Sequence, residues 1–66
     1  MGNDEFKAIR QRLGLTQAQL ASVLGYQHPM QVSELERTTN PKPVPRAIAL
    51  LMVAYDEGYR PKEWPE

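Results

Sequence analysis

An all-α fold of four helices is predicted by three features of this 66-residue sequence. Apolar residues recur at helical spacing in successive short segments. Glycine or proline stands at the ends of those segments, where helices stop or start. No stretch alternates apolar and polar residues as a half-buried strand would.

The first helix is expected from about Asp4 to Leu13. Asn3 suits its N-cap, Asp4 and Glu5 suit its positive end, and Phe6, Ile9 and Leu13 share a face before Gly14 stops it. The second runs from Thr16 to Leu24. Thr16 and Gln19 have the spacing of a capping box, in which each side chain accepts from the other residue's backbone N–H. Leu20, Ala21, Val23 and Leu24 form its apolar face, and Gly25 can take the left-handed conformation that ends it. The third runs roughly from Pro29 to Arg37, with proline at the first position, where its missing N–H is harmless. Val32 and Leu35 fall on one side of that helix, and Met30, Gln31 and Glu34 on another. A helix anchored on one side and polar on the other keeps a surface for recognition.

Prolines at 41, 43 and 45 then impose an extended segment. Pro45 opens the fourth helix, which runs to about Glu57 with Gly58 as its end. Its run Ala47–Ala54 is apolar throughout, which implies burial on more than one side. Ile48, Leu51 and Tyr55 are expected to meet the core. Leu50, Val53 and Trp64 are left either for the irregular tail, residues 59–66, to cover by folding back or for a homodimer interface, the reading favoured here.

One domain, residues 1–66, is the expectation for this length. The absence of cysteine excludes disulfides and thiolate metal sites, and a single histidine, His28, cannot build a metal site or a catalytic dyad alone. With no nucleophile–base pair and no phosphate loop either, an enzyme is not expected, nor a cofactor or a small-molecule ligand. No segment reaches the ~18 to 20 apolar residues of a membrane span, and no signal sequence is evident, so a cytoplasmic protein is expected. Formal charge is zero, but residues 7–46 carry six cations against Glu34 and Glu36, a net of +4 flanked by acids. That distribution is mild support for a polyanionic partner.

The run LGLTQAQLASVLGY, followed by VSELE, resembles the helix-turn-helix of the lambda-repressor and Cro-like DNA-binding proteins. The matching positions are Thr16-Gln17, Leu20-Ala21, Leu24-Gly25, Val32-Ser33 and Glu36, with Arg10 in the first helix. Two departures stand out. One extra residue lies between Gly25 and Val32, and Arg37-Thr38 replaces the usual Asn-Gly after Glu36. The resemblance implies a structural ion pair between Arg10 and Glu36. It places Gln17 at a DNA phosphate, and Arg37, Thr38, Lys42 and Arg46 near the backbone. For any one of those cations a plain solvated charge is the competing reading. Gln27, His28, Met30, Gln31 and Glu34 become the groove-facing candidates, since glutamine can pair with adenine, glutamate with the cytosine amine and methionine with a thymine methyl. His28 has the alternative role of N-cap to Pro29.

The function so implied is sequence-specific binding of double-stranded DNA by a transcriptional regulator, a repressor acting as a dimer on an inverted repeat. Compact members of this kind occur in phages and mobile elements, including autorepressors beside anti-CRISPR genes. The alternative is a protein-interaction module or antitoxin that uses the same helices to bind a partner protein.

Overall fold

Two glycines and a proline set where the first three helices stop and start in the computed structural model, which describes residues 1–65. The helices are α1 (Asn3–Arg12), α2 (Gln17–Leu24), α3 (Pro29–Glu36) and α4 (Arg46–Asp56), with no strand among the described residues. The capping box forms at α2: Gln19 N–H donates to Thr16 Oγ1 at 3.1 Å, and Thr16 N–H to Gln19 Oε1 at 2.9 Å. Gly25 ends α2 with φ +84°, a value that penalises a Cβ. There the Tyr26 N–H reaches back to Ala21 O at 2.8 Å and the Gly25 N–H to Ser22 O at 3.2 Å. Open space surrounds Gly25, so glycine is needed for backbone conformation and not for room.

Phe6, Ile9, Leu20, Val32 and Met52 are the largest fully buried side chains. Helix α2 packs on α3, and α1 lies against both α3 and α4. The apolar faces of α1, α2 and α3 are those the sequence spacing predicts. On α4 the inward face differs by one position. Met52, with Tyr55 and half-buried Ile48, meets the core, whereas Leu51 is exposed. An unbroken apolar run has no polar residue to mark its outer side, which is why spacing alone misplaces the register. Leu50 (61 % exposed) and Val53 (43 %) stay open to solvent.

Asn3 also departs from expectation. Gly2 is the N-cap of α1, and Asn3, inside the helix, turns its amide to Leu35 O and Lys42 O, both at 2.7 Å. Local pattern suggested a cap; a contact more than thirty residues distant won. At the other end of the chain the tail folds back. Trp64 sits edge-on to Tyr55 with centroids 5.3 Å apart, and the Arg60 guanidinium lies 4.2 Å above the Trp64 ring. Arg60 also donates to Tyr55 O (2.8 Å) and Tyr59 O (2.9 Å), satisfying carbonyls at the end of α4. Burial pushes the Tyr55 phenol above its ordinary pKa. Across α1 and α4, Arg12 hydrogen-bonds Asp56 at 2.9 Å and holds its carboxyl below the usual carboxylate range. The remaining tail residue, Glu66, lies outside the described residues. Among those residues no helix is long and apolar enough to cross a membrane.

A domain of this length has a total stability of about 3 to 10 kcal/mol. Leu20 is fully buried where α2 meets the core, so Leu20→Ala should remove about 2 to 5 kcal/mol of it. Urea denaturation followed by circular dichroism checks this; a loss below 1 kcal/mol would show a core far looser than the burial implies.

Candidate functional site

Helix α3 is held from the inside. Val32 is fully buried, Leu35 nearly so, and Glu36 follows them inward. Opposite that edge, Met30 is 69 % exposed, Gln31 is exposed and Glu34 is half-buried. With His28 and Pro29 these three line an open, mainly apolar depression. The helix begins at Pro29 with His28 as its N-cap, the alternative role the sequence offered for that histidine. Gln31 Oε1 closes the mouth of the helix, accepting from Gln27 N–H at 3.0 Å and His28 N–H at 3.2 Å. The glutamine oxygen is therefore committed to the helix end, although the side chain as a whole is exposed.

At the other end of α3, four contacts fix the following segment against the helix. Lys42 N–H donates to Glu34 O at 3.0 Å, and Lys42 Nζ stands 3.0 Å from Glu34 Oε1. Arg37 Nη2 reaches Glu34 Oε2 at 3.3 Å. Asn3 bridges the Leu35 and Lys42 carbonyls from α1. Glu34 is thus compensated by two cations. That answers how a carboxylate sits on a face otherwise suited to an anion, though the same contacts partly neutralise Arg37 and Lys42. Thr38 is exposed beside them, and Arg46 is exposed in the first turn of α4. A cation is disfavoured at that positive helix end, so Arg46 gains nothing from the helix dipole. Asn3 and the Glu34–Lys42 pair were missed as site-building residues. Their partners are remote in sequence and leave no mark in local spacing.

The inner support of α3 is a buried carboxylate. Arg10 Nε and Nη2 grip Glu36 in a bidentate pair at 2.6 and 3.0 Å, with side chains only 13 % and 3 % exposed. Arg10 Nη1 donates to Leu15 O at 2.8 Å, and Gln17 Nε2 to Glu36 Oε1 at 3.1 Å. Helices α1, α2 and α3 therefore meet on one charge. Gln17, a phosphate candidate from the sequence, keeps its side-chain amide turned to Glu36; what the start of α2 offers outward is backbone N–H. On α4, Leu50 and Val53 remain exposed, whereas the Trp64 ring is engaged with Tyr55 and Arg60 inside the chain.

Among the described residues no three His, Asp or Glu side chains cluster to hold a metal ion. Against known families, a helix-turn-helix domain matches residues 4–58, from the first turn of α1 to the glycine after α4. Neither the curated proteins nor the solved structures returned a match.

Truncating Arg10 would strand a buried charge. Arg10→Ala should destabilise the fold by about 3 to 5 kcal/mol, while Arg10→Met combined with Glu36→Met should recover most of that loss. Denaturant titrations of both variants check the pair; equal losses would mean that Glu36 is not held by Arg10.

Proposed function

The chain belongs to the helix-turn-helix domain family, and from that premise we propose that it is a sequence-specific double-stranded DNA-binding transcriptional regulator of the lambda-repressor and Cro-like kind. The observation that carries this reading is the two-sidedness of α3: Val32, Leu35 and Glu36 anchor one edge, and Met30 and Gln31 stand open on the other. Helix α3 enters the major groove, with Met30 and Gln31 at base edges and Gln27 and His28 at its mouth. Glu34 serves as the tether for Lys42 and Arg37. The backbone N–H groups at the start of α2 meet one phosphate, and Arg37, Thr38, Lys42 and Arg46 line the backbone beyond.

Two copies pair through the exposed apolar residues of α4, Leu50 and Val53, with Leu51 beside them; Trp64, occupied within its own chain, leaves that set. Dimers bind an inverted repeat with half-sites about 34 Å apart on one face of the duplex. The protein acts in the cytoplasm as a repressor, excluding polymerase from a promoter, in the manner of phage or mobile-element autorepressors such as those beside anti-CRISPR genes. It needs no cofactor or small-molecule effector and carries out no enzymatic step. A second reading, a protein-interaction module or antitoxin, is favoured by the zero net charge and by the neutralising contacts around Glu34.

A salt titration separates the two. Affinity for duplex DNA should fall steeply as salt rises, because each neutralised phosphate releases counterions. Arg46→Ala should weaken all duplexes alike and reduce the slope by about one ion; a salt-insensitive association favours the protein-partner reading. Leu50→Glu should yield monomers in sedimentation and lose operator affinity, and a variant that sediments as the parent dimer removes α4 from the interface.

A further inference from the structure

Hydrogen-bonding capacity on the outer face of α3 is lopsided. An amide oxygen has two lone pairs, and Gln31 Oε1 already accepts two backbone N–H groups, at 3.0 and 3.2 Å. Its acceptor is saturated, so the group left to face outward is Nε2, which only donates. The carboxylate on this face, Glu34, has one oxygen on Lys42 Nζ at 3.0 Å and the other on Arg37 Nη2 at 3.3 Å. Beside them Met30 offers an exposed thioether, a weak acceptor and an apolar surface.

We propose that α3 reads the keto edge of a base: guanine through O6 and N7, or thymine through O4 with its methyl group against Met30. The inference rests on the DNA-binding reading above and adds a chemical class of target to it. Bidentate pairing of glutamine with adenine requires the amide oxygen to accept from the N6 amine, and Nε2 on adenine N7 alone would lie beside that unmatched amine. Gln31 supplies that oxygen only by abandoning the two N–H groups at the mouth of its own helix. Cytosine presents an amine at the same place, and Nε2 would meet it donor to donor.

The test is selection from a random duplex pool with the full chain and with Gln31→Glu. Glutamate at this position keeps one oxygen for the cap, suits the helix N-terminus, and turns a second oxygen outward as an acceptor. Wild-type selection should return guanine or thymine at one position of each half-site. Gln31→Glu should shift that position alone toward cytosine or adenine, by on the order of tenfold in preference, with no fall in melting temperature. A check on the wild-type chain needs no variant: 7-deazaguanine for guanine, or uracil for thymine, at that position should weaken binding severalfold. Wild-type selection of adenine or cytosine there, or a site that no Gln31 substitution alters, overturns the keto-edge proposal and leaves DNA binding standing. A pool in which nothing enriches overturns both.

Discussion

The orientation of α3 depends on one buried carboxylate. Glu36 closes a helix of eight residues at its negative end, where the backbone dipole disfavours an acid, and it lies almost wholly out of solvent. Such a group persists only with strong compensation. Arg10 from α1 supplies a bidentate grip and Gln17 from α2 a third donor, so the carboxylate ties three helices at one point. The same guanidinium holds Leu15 O in the link between α1 and α2. Apolar packing alone would bring α2 and α3 together but leave their angle adjustable, since hydrophobic contact is not directional. The ion pair is directional, and it makes the pose of α3 a property of the whole domain.

Charge takes a different shape in the fold from the one it has along the chain. Residues 7–46 carry a net +4, yet Arg10 faces Glu36, Arg12 reaches outside the block to Asp56, and Arg37 and Lys42 share Glu34. Much of the apparent basicity is internal structure. The exposed pairs are weak individually, but an ammonium has three N–H donors and a guanidinium five, so Arg37 and Lys42 can meet a further anion without releasing Glu34. Their effect is to fold the extended segment back onto α3 and keep its cations near the helix whether or not an anion is present.

The elements with local causes were legible in the sequence: the Thr16–Gln19 box, the glycine stop at Gly25, Pro29 at the head of α3 and the apolar faces of α1 to α3. Each depends on neighbours three or four residues away, which is the range that spacing and propensity describe. The resemblance, not spacing, supplied the Arg10–Glu36 pair. What escaped was set by distance or ambiguity. Asn3 has the composition of a cap but bonds Leu35 and Lys42, and Met52 displaced Leu51 because an apolar run on α4 hides its own phase. Gln31 was legible as a polar outward residue. Its second duty as a cap was not, because the capping-box signature opens on serine or threonine, and His28 stands at that place.

That dual duty bears on how so short a helix can present a defined surface. Eight residues span only about 12 Å, and a helix of that length is not stable alone in water. Its shape must come from outside, and each constraint removes a side chain from those free to contact anything else. Val32 and Leu35 are taken by the core, Glu36 by Arg10, Glu34 by Lys42 and Arg37, and the oxygen of Gln31 by the backbone. What remains outward is small: on the helix itself the Met30 thioether, the amide NH₂ group of Gln31 and the half-buried Ser33, with His28 and Gln27 at its mouth. A backbone so pinned has little conformational freedom to lose on contact, so few groups can suffice for discrimination where the helix that carries them is fixed in advance.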